Sequence, residues 1–388
     1  MQEVRKEFAL KALEAGANLS ALCLQYGVTR KTGREWRERA RLEGINRLAE
    51  RSRRPLSSPR QLGEAVACQL VRLKLAYPHW GPRKIRDVFR QTQGQALGVS
   101  SCHRVLKAAG LVQARPRRVR RAATLVQGAV VPQAPNDVWT VDFKGWWRLG
   151  DGRRCEPLTV RDAFSRYLLS VYVAPDARAA TVGQEFNRLF QLYGLPKLIK
   201  SDNGSPFACR VVPQGLTSLS AQWVALGIAL EHSRPGHPQD NGAHERMHKD
   251  LQAEVAVNIQ VDARAQQAAL DLWRREYNEV RPHAALQGRR PADLYHKSSR
   301  PYPTAPLHLD YGRGYLTRRV ICTGKISYQG HLIFLTTALI GWEVGLRTVS
   351  PTHVEVWFSY LFLGTIDLQT NRFGSAPSRS AKAVGLAA

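Results

Sequence analysis

The sequence predicts a multidomain fold, with all-α helix-turn-helix units at the N terminus, a central α/β domain on a mixed sheet, and a small β-barrel at the C terminus. Three observations predict it. The hydrophobic period is helical up to about Ala109, becomes strand-like from Val138, mixes helix with strand as far as residue 296, and alternates again over 317–367. Of 388 residues, 57 are Lys or Arg and 31 are Asp or Glu, a net charge of +26, while 44% are hydrophobic. That supplies several cores and excludes global disorder. Residues 1–130 hold 27 of the basic groups and 9 of the acidic ones, so the positive charge is concentrated at the N-terminal end.

An Arg-rich surplus of this size favours a phosphate backbone as partner, because each neutralised phosphate releases a condensed counterion. A basic protein associated with the ribosome is the plainer alternative. No apolar run reaches the roughly 18 residues of a membrane span, and the N terminus lacks the charged-then-apolar layout of a signal peptide. The expectation is a soluble, cytoplasmic protein with no membrane partner. Cys23, Cys68, Cys102, Cys155, Cys209 and Cys322 contain no CxxC pair and read as buried or idle thiols.

The first unit, residues 1–50, reads as helices over Val4–Ala15 and Asn18–Tyr26, with Leu19, Leu22, Cys23 and Tyr26 at helical spacing. Gly27 turns the chain, and Thr29 caps a third helix that opens with Arg30-Lys31-Thr32-Gly33-Arg34 and turns Trp36 and Ala40 inward. Arg30, Lys31, Arg34 and Arg37 are candidate DNA contacts, since the N-terminal end of such a helix can enter a major groove. Gly33 is out of place in a helix interior. A similar unit spans 57–112, with helices near 62–76, from Arg83, and over Ser100–Ala109, and it offers Arg83 and Lys84 as contacts. Ordinary helical bundles with a solvated Arg face are the alternative for both. A basic linker, 113–130, follows, with Arg117 and Arg118 expected on phosphates.

The central domain, 131–296, reads as strands over Val138–Trp147, Pro157–Val160 and Tyr167–Val173, a helix near 177–193, and a strand Lys197–Ser201. A helix near 217–226, a strand Ile228–His232, a long helix from Asp240 and another near 263–279 complete it. Asp142 lies mid-strand among apolar neighbours, where a carboxylate is disfavoured unless something polar meets it. Asp202 ends an apolar strand at its carboxyl end, where α/β domains place their sites. On the long helix Ala243, Met247, Leu251 and Val255 recur every four residues as a buried stripe, which assigns Glu245, His248, Lys249 and Gln252 to a face able to hold metal and DNA. Arg246 and Lys249 are further DNA candidates, Lys249 alternatively pairing with Glu245. Asp162 reads as a structural strand-end carboxylate and Asp240 as a helix cap. The strand-like segment 305–370 suggests a barrel of about five strands, and the tail 371–388 is expected to be disordered.

Trp139-Thr140-Val141-Asp142, Ser201-Asp202-Asn203-Gly204 and Asn241-Gly242-Ala243-His244-Glu245-Arg246, in that order, resemble the catalytic motifs of DDE transposases with a retroviral-integrase-type core. The likeness is to bacterial insertion-sequence transposases with N-terminal helix-turn-helix units, and it covers roughly residues 5–295. It implies a ribonuclease H-like fold in which Asp142, Asp202 and Glu245 are catalytic and bind two divalent ions, magnesium with manganese as substitute. It implies also that double-stranded DNA, at element ends and in the target, is cut and joined by a dimer or tetramer at the bacterial nucleoid. The chemistry fits the residues, because two ions about 3.5–4 Å apart can serve the attacking and leaving oxygens of an in-line displacement, and hard cations take carboxylate oxygens. The 42 residues between Asp202 and Glu245 exceed the usual integrase spacing and point to an insertion around Ala208–Ser220. Two alternatives are a catalytically inactive DNA-binding regulator and a zinc protease, since His244-Glu245-Arg246-Met247-His248 also spells HExxH. No GxxxxGK phosphate loop is present.

Overall fold

A computed structural model describes residues 2–50, 62–112, 130–209, 212–233 and 242–376. It divides into two compact units, residues 1–63 and 64–388. In the first, α1 (Gln2–Leu13), α2 (Leu19–Gln25) and α3 (Arg30–Glu43) close around Phe8, Ala12 and Cys23. The caps explain the boundaries: Asn18 accepts the backbone N–H groups of Ser20 and Ala21, and Thr29 accepts that of Thr32. Gly33 has a reason to be helical here, because a β-carbon on it would come within 2.4 Å of Cys23 Sγ and 2.9 Å of the Phe8 ring. The helices cross too closely for any side chain at that point.

The second unit opens with α4 (Glu64–Ala76), α5 (Pro82–Gln93) and α6 (Val99–Ala108). These helices pack on the α/β core through Arg281, which is fully buried, donates to Asp250 at 2.9 Å and to Glu254, and lies 5.4 Å from the Trp80 ring. Gln91 Nε2 donates to the Gly288 carbonyl at 3.0 Å beside it.

The core comprises β1 (Val138–Phe143), β2 (Trp147–Arg148), β3 (Arg154–Asp162), β4 (Leu168–Ala174), α7 (Ala179–Tyr193), β5 (Leu198–Ser201), α8 (Ser218–Ala225), β6 (Ala229–His232), α9 (Gly242–Glu254) and α10 (Ala263–Glu279). Its sheet runs β2-β3-β1-β5-β6, with β4 also on β3; the β1, β3 and β4 pairings are antiparallel, and those of β1 with β5 and β5 with β6 are parallel. This is the mixed sheet expected. One face of it, carrying Trp139, Val141, Leu158, Val160 and Ile199, packs on Val182, Phe186, Leu189 and Phe190 of α7. The free edge of β4 is covered by side-chain amides of α10: Asn278 bonds the N–H and C=O of Leu168, and Gln267 bonds Val173 N–H and Val171 C=O. Such coverage removes an edge that could pair with another chain.

The C-terminal region departs from the barrel expectation. β7 (Leu316–Arg319), β10 (Glu343–Ser350), β11 (His353–Phe358), β12 (Leu361–Asp367) and β13 (Arg372–Ser375) form an open antiparallel sheet in the order β13-β12-β11-β10-β7, and β8 (Lys325–Tyr328) with β9 (His331–Phe334) make a separate hairpin. The sheet does not close because its core is completed from outside. Leu216, Ala221, Val224 and Ala225, from α8 and the segment before it, join Val344, Val354, Val356 and Ile366 in one apolar cluster. The stretch that lengthens the Asp202–Glu245 spacing is thus the seat of this sheet, and Gln214 Nε2 donates to Phe362 O at 3.1 Å. The tail expected from Asn371 is also corrected, since β13 pairs with β12 there; residues 377–388 lie outside the described residues, as does most of the basic linker.

Candidate active site

β1 and β5 run parallel with Val138 opposite Leu198, Trp139 opposite Ile199 and Thr140 opposite Lys200. Asp142 and Asp202 each lie two residues beyond the last of these pairs, Asp142 near the end of β1 and Asp202 just past the end of β5. Side chains alternate along a strand, so Thr140 and Asp142 share the face opposite the α7 core. Their antiparallel neighbours on β3 are Arg161 and Thr159. This polar face receives α9.

The seating of α9 is specific. Thr159 Oγ1 donates to the Asp142 carbonyl at 2.9 Å and also lies 2.7 Å from His244 Nε2 and 2.8 Å from His248 Nε2. A hydroxyl has one proton and two acceptor sites. Thr159 Oγ1 is thus the shared partner of the β1 backbone and of both imidazoles. His244 Nδ1 is 2.9 Å from Thr140 Oγ1. Burial holds both imidazoles neutral, pushing His244 well below the usual range and His248 down to about 3. Arg161, itself buried, donates to the Ala243 carbonyl at 2.7 Å and fixes the first turn of the helix.

Glu245 is half-buried in that turn, close enough for its charge to act on Asp142. Asp142 registers both neighbours: its carboxyl is raised to about 7, first by burial, then by the Asp202 charge, with Glu245 adding to it, against the Phe143 N–H and Lys144. Asp202 is exposed, and its Oδ1 accepts the Gly204 N–H at 3.2 Å in the turn after β5. Among the described residues no group of three His, Cys, Asp or Glu side chains is gathered closely enough to form a ready-made metal cage. Asp202 and Glu245 are both electrostatic neighbours of Asp142. Asp142, whose ionisation the neighbouring Asp202 and Glu245 charges disfavour, would with them make an oxygen-only donor set of the kind a hard divalent cation suits.

Several sequence expectations change. The buried residues of α9 are His244, Met247, His248 and Leu251, while Ala243 is exposed, so His248 belongs to the interior and not to a DNA-facing surface. The HExxH reading is disfavoured at its ligands, because each imidazole has its Nε2 against Thr159 Oγ1 and His244 has its other nitrogen against Thr140 Oγ1. Asp162 is structural, accepting from Asn136 N, Ser165 N and Ser165 Oγ. Asp240 lies outside the described residues.

Of the DNA candidates, Arg30, Lys31 and Arg34 are exposed on α3 and Arg37 is half-buried. Arg83 is exposed on α5, but Lys84 faces the core, 3.9 Å from Asp250 and beside Trp80, with its ammonium pushed down to about 8 by burial and then by Arg281. That position removes Lys84 from a DNA-facing set. Arg117 and Arg118 lie outside the described residues. Arg246 is exposed, 3.7 Å from Asp250, and Lys249 is exposed, with no ion pair to Glu245 among the described residues. Thr140, Thr159 and Arg161 escaped the sequence reading. Only Thr140, two residues before Asp142, carried a signal.

Comparison with known proteins gives a consistent neighbourhood. Residues 132–238 and 226–291 match models of an integrase core domain, residues 5–55 a helix-turn-helix domain, and residues 32–106 a homeodomain-like domain. An uncharacterized 31.7 kDa protein of insertion element IS407 from Burkholderia multivorans is 27% identical over 253 residues, 64% of this chain and 88% of that one. An uncharacterized 39.2 kDa protein of insertion element IS476 from Xanthomonas euvesicatoria is 27% identical over 252 residues, 64% of this chain and 69% of its own. Among solved structures, the catalytic core domain of BIV integrase is 24% identical over 41% of this chain and 93% of that chain, with a TM-score of 0.32.

Proposed function

We propose that this chain, which belongs with the insertion-sequence transposases that carry an integrase-type core, binds the ends of its element and performs metal-dependent strand cleavage and strand transfer at Asp142, Asp202 and Glu245. The observation that supports the reading is the parallel register of β1 on β5 up to Thr140 and Lys200, with Asp142 and Asp202 each two residues further on, together with the charges of Asp202 and Glu245 acting on Asp142. Two magnesium ions, or manganese in their place, held by these oxygens would supply Lewis acidity to the attacking and leaving oxygens of an in-line phosphodiester displacement.

The chain's own residues do the rest. Thr159 and the two neutral imidazoles lock α9 to the sheet and so hold Glu245 opposite the strand ends, while Arg161 fixes the helix start. In the first step a water oxygen bonds to phosphorus at the element end and the bond to the 3′-oxygen breaks, leaving a 3′-hydroxyl. In the second that hydroxyl bonds to a target phosphorus, releases the target's own 3′-oxygen and gives up its proton. Both steps exchange one P–O bond for another, so no nucleotide cofactor is consumed. Arg30, Lys31, Arg34, Arg37 and Arg83 serve element-end recognition, with Arg117, Arg118, Arg246 and Lys249 on phosphates, and two protomers or four bring the two ends together.

Incubation of the full chain with magnesium and labelled element-end DNA tests this. The expected result is nicking followed by joining, with Asp142→Asn and Asp202→Asn each lowering both by more than about a thousandfold, some 4 kcal/mol of barrier, while end binding is kept. Binding without any cutting in magnesium or manganese would favour the inactive regulator.

A further inference from the structure

Beyond β1 the chain runs through Lys144 and Gly145 to Trp146, then enters the β2–β3 hairpin with its tip at Gly150-Asp151-Gly152. Trp146 is 54% exposed, whereas Trp80, Trp139 and Trp223 are buried in the cores. An open indole of this size is an informative surface feature. It is flanked by Arg154, 5.0 Å from the ring centroid, and Arg148, 5.8 Å from it. Both guanidinium groups lie over the ring at cation–π distance, and more than half of the indole surface remains open to solvent. Both arginines are braced: Arg154 pairs with Glu156 at 2.8 Å and Arg148 donates to the Gly152 carbonyl at 3.1 Å.

The position is at the carboxylate end of the sheet. Trp146 follows Asp142 by four residues, a path of at most about 14 Å. Stacked nucleotides advance about 3.4 Å each along a strand, so a DNA strand crossing the carboxylates reaches this ring within about four nucleotides. A paired base hides its faces in the stack, and only an unpaired one can present a face to an indole. Base-on-aromatic stacking with flanking cations is the physical mode by which proteins hold single strands.

We propose that Trp146, with Arg148 and Arg154, is a stacking platform for an unpaired DNA base within a few nucleotides of the cut, so that the site binds an opened, not a fully paired, DNA end. The proposal rests on the assignment of Asp142, Asp202 and Glu245 as the cutting site, but its test is read without cutting. A 20-base-pair duplex carrying a six-nucleotide unpaired fork at one end, with 2-aminopurine in the fork, is compared with the blunt duplex against the full chain in calcium. The full chain should prefer the fork by roughly tenfold to a hundredfold and change the 2-aminopurine emission. Trp146→Ala should abolish the preference while binding blunt duplex within twofold of the unaltered chain, and Trp146→Phe should restore most of it. Equal affinity of the unaltered chain for fork and blunt DNA, or a fork preference that survives in Trp146→Ala, would overturn the proposal. A chain that shows the preference yet never nicks element ends would instead count against the cutting assignment alone.

Discussion

The two faces of the central sheet are built from the same strands and do opposite things. On one, Trp139, Val141, Leu158 and Val160 meet α7 in an apolar core that anything of the right volume could fill. On the other, Thr140, Asp142, Thr159 and Arg161 meet α9 through named donors and acceptors. A buried polar network is worth having only when every member is satisfied. The apolar face therefore contributes stability, and the polar face spends some of it to fix where Glu245 stands.

Substitutions on the two faces sharpen that contrast. Leu158→Ala should lower unfolding free energy by about 2–5 kcal/mol in a urea melt, with the residual folded protein cutting DNA at the normal rate. Asp142→Asn should act in the opposite direction. Its carboxyl is raised to about 7, so the folded state resists ionisation, and stability is lost as pH rises from the ordinary carboxylate value through 7. At pH 8 without metal the amide should gain between about 1 and 4 kcal/mol, while cutting disappears. A loss of stability in Asp142→Asn would break the contrast between the faces.

Thr159→Val keeps the shape but leaves the Nε2 atoms of both imidazoles and the Asp142 carbonyl without their hydroxyl partner. We expect about 1–3 kcal/mol of destabilisation together with slower cutting by the folded protein, which Leu158→Ala does not show. The smallest effect is in pH. His244 and His248 are neutral when folded, His248 down to about 3, against 6.5 for an ordinary imidazole. The unfolded chain takes up their protons first, so their share of stability is intact above pH 6.5 and is lost as pH falls below it. The slope is at most about 1.4 kcal/mol per pH unit for each. Replacing both by Asn should flatten the acid limb of a stability profile, and an unchanged limb would show that these imidazoles are not the neutral, buried pair described.

Much of this arrangement was legible in the sequence, for local reasons. Thr29 announces its helix because a cap is a short-range hydrogen bond, and Asp142 stands out because a carboxylate in an apolar strand needs an explanation. Gly33 read as a fault until the approach of Cys23 and Phe8 accounted for it. The α9 stripe holds at Met247, Leu251 and Val255 but not at Ala243, which is exposed, and it is wider than the period suggests, because the hydroxyls of Thr140 and Thr159 draw His244 and His248 into the interior beside it. Thr159 itself could not be found, because its role depends on the β1–β3 register, a long-range fact. The open C-terminal sheet was missed for the same reason: strand alternation reports one buried face but not that α8 supplies the other side of it.

The central claim is that Asp142, Asp202 and Glu245 act as one oxygen site for divalent metal. Titration of manganese into the full chain at pH 8, followed by the loss of the free-ion electron paramagnetic resonance signal, tests it most directly. The account predicts saturable binding that is abolished or weakened at least tenfold in Asp142→Asn, Asp202→Asn and Glu245→Gln alike and unchanged when Asp162 is replaced by Asn in protein that remains folded. Manganese binding indifferent to the three carboxylates, or stoichiometric zinc that is lost only when His244 and His248 are both replaced by Ala, would contradict it.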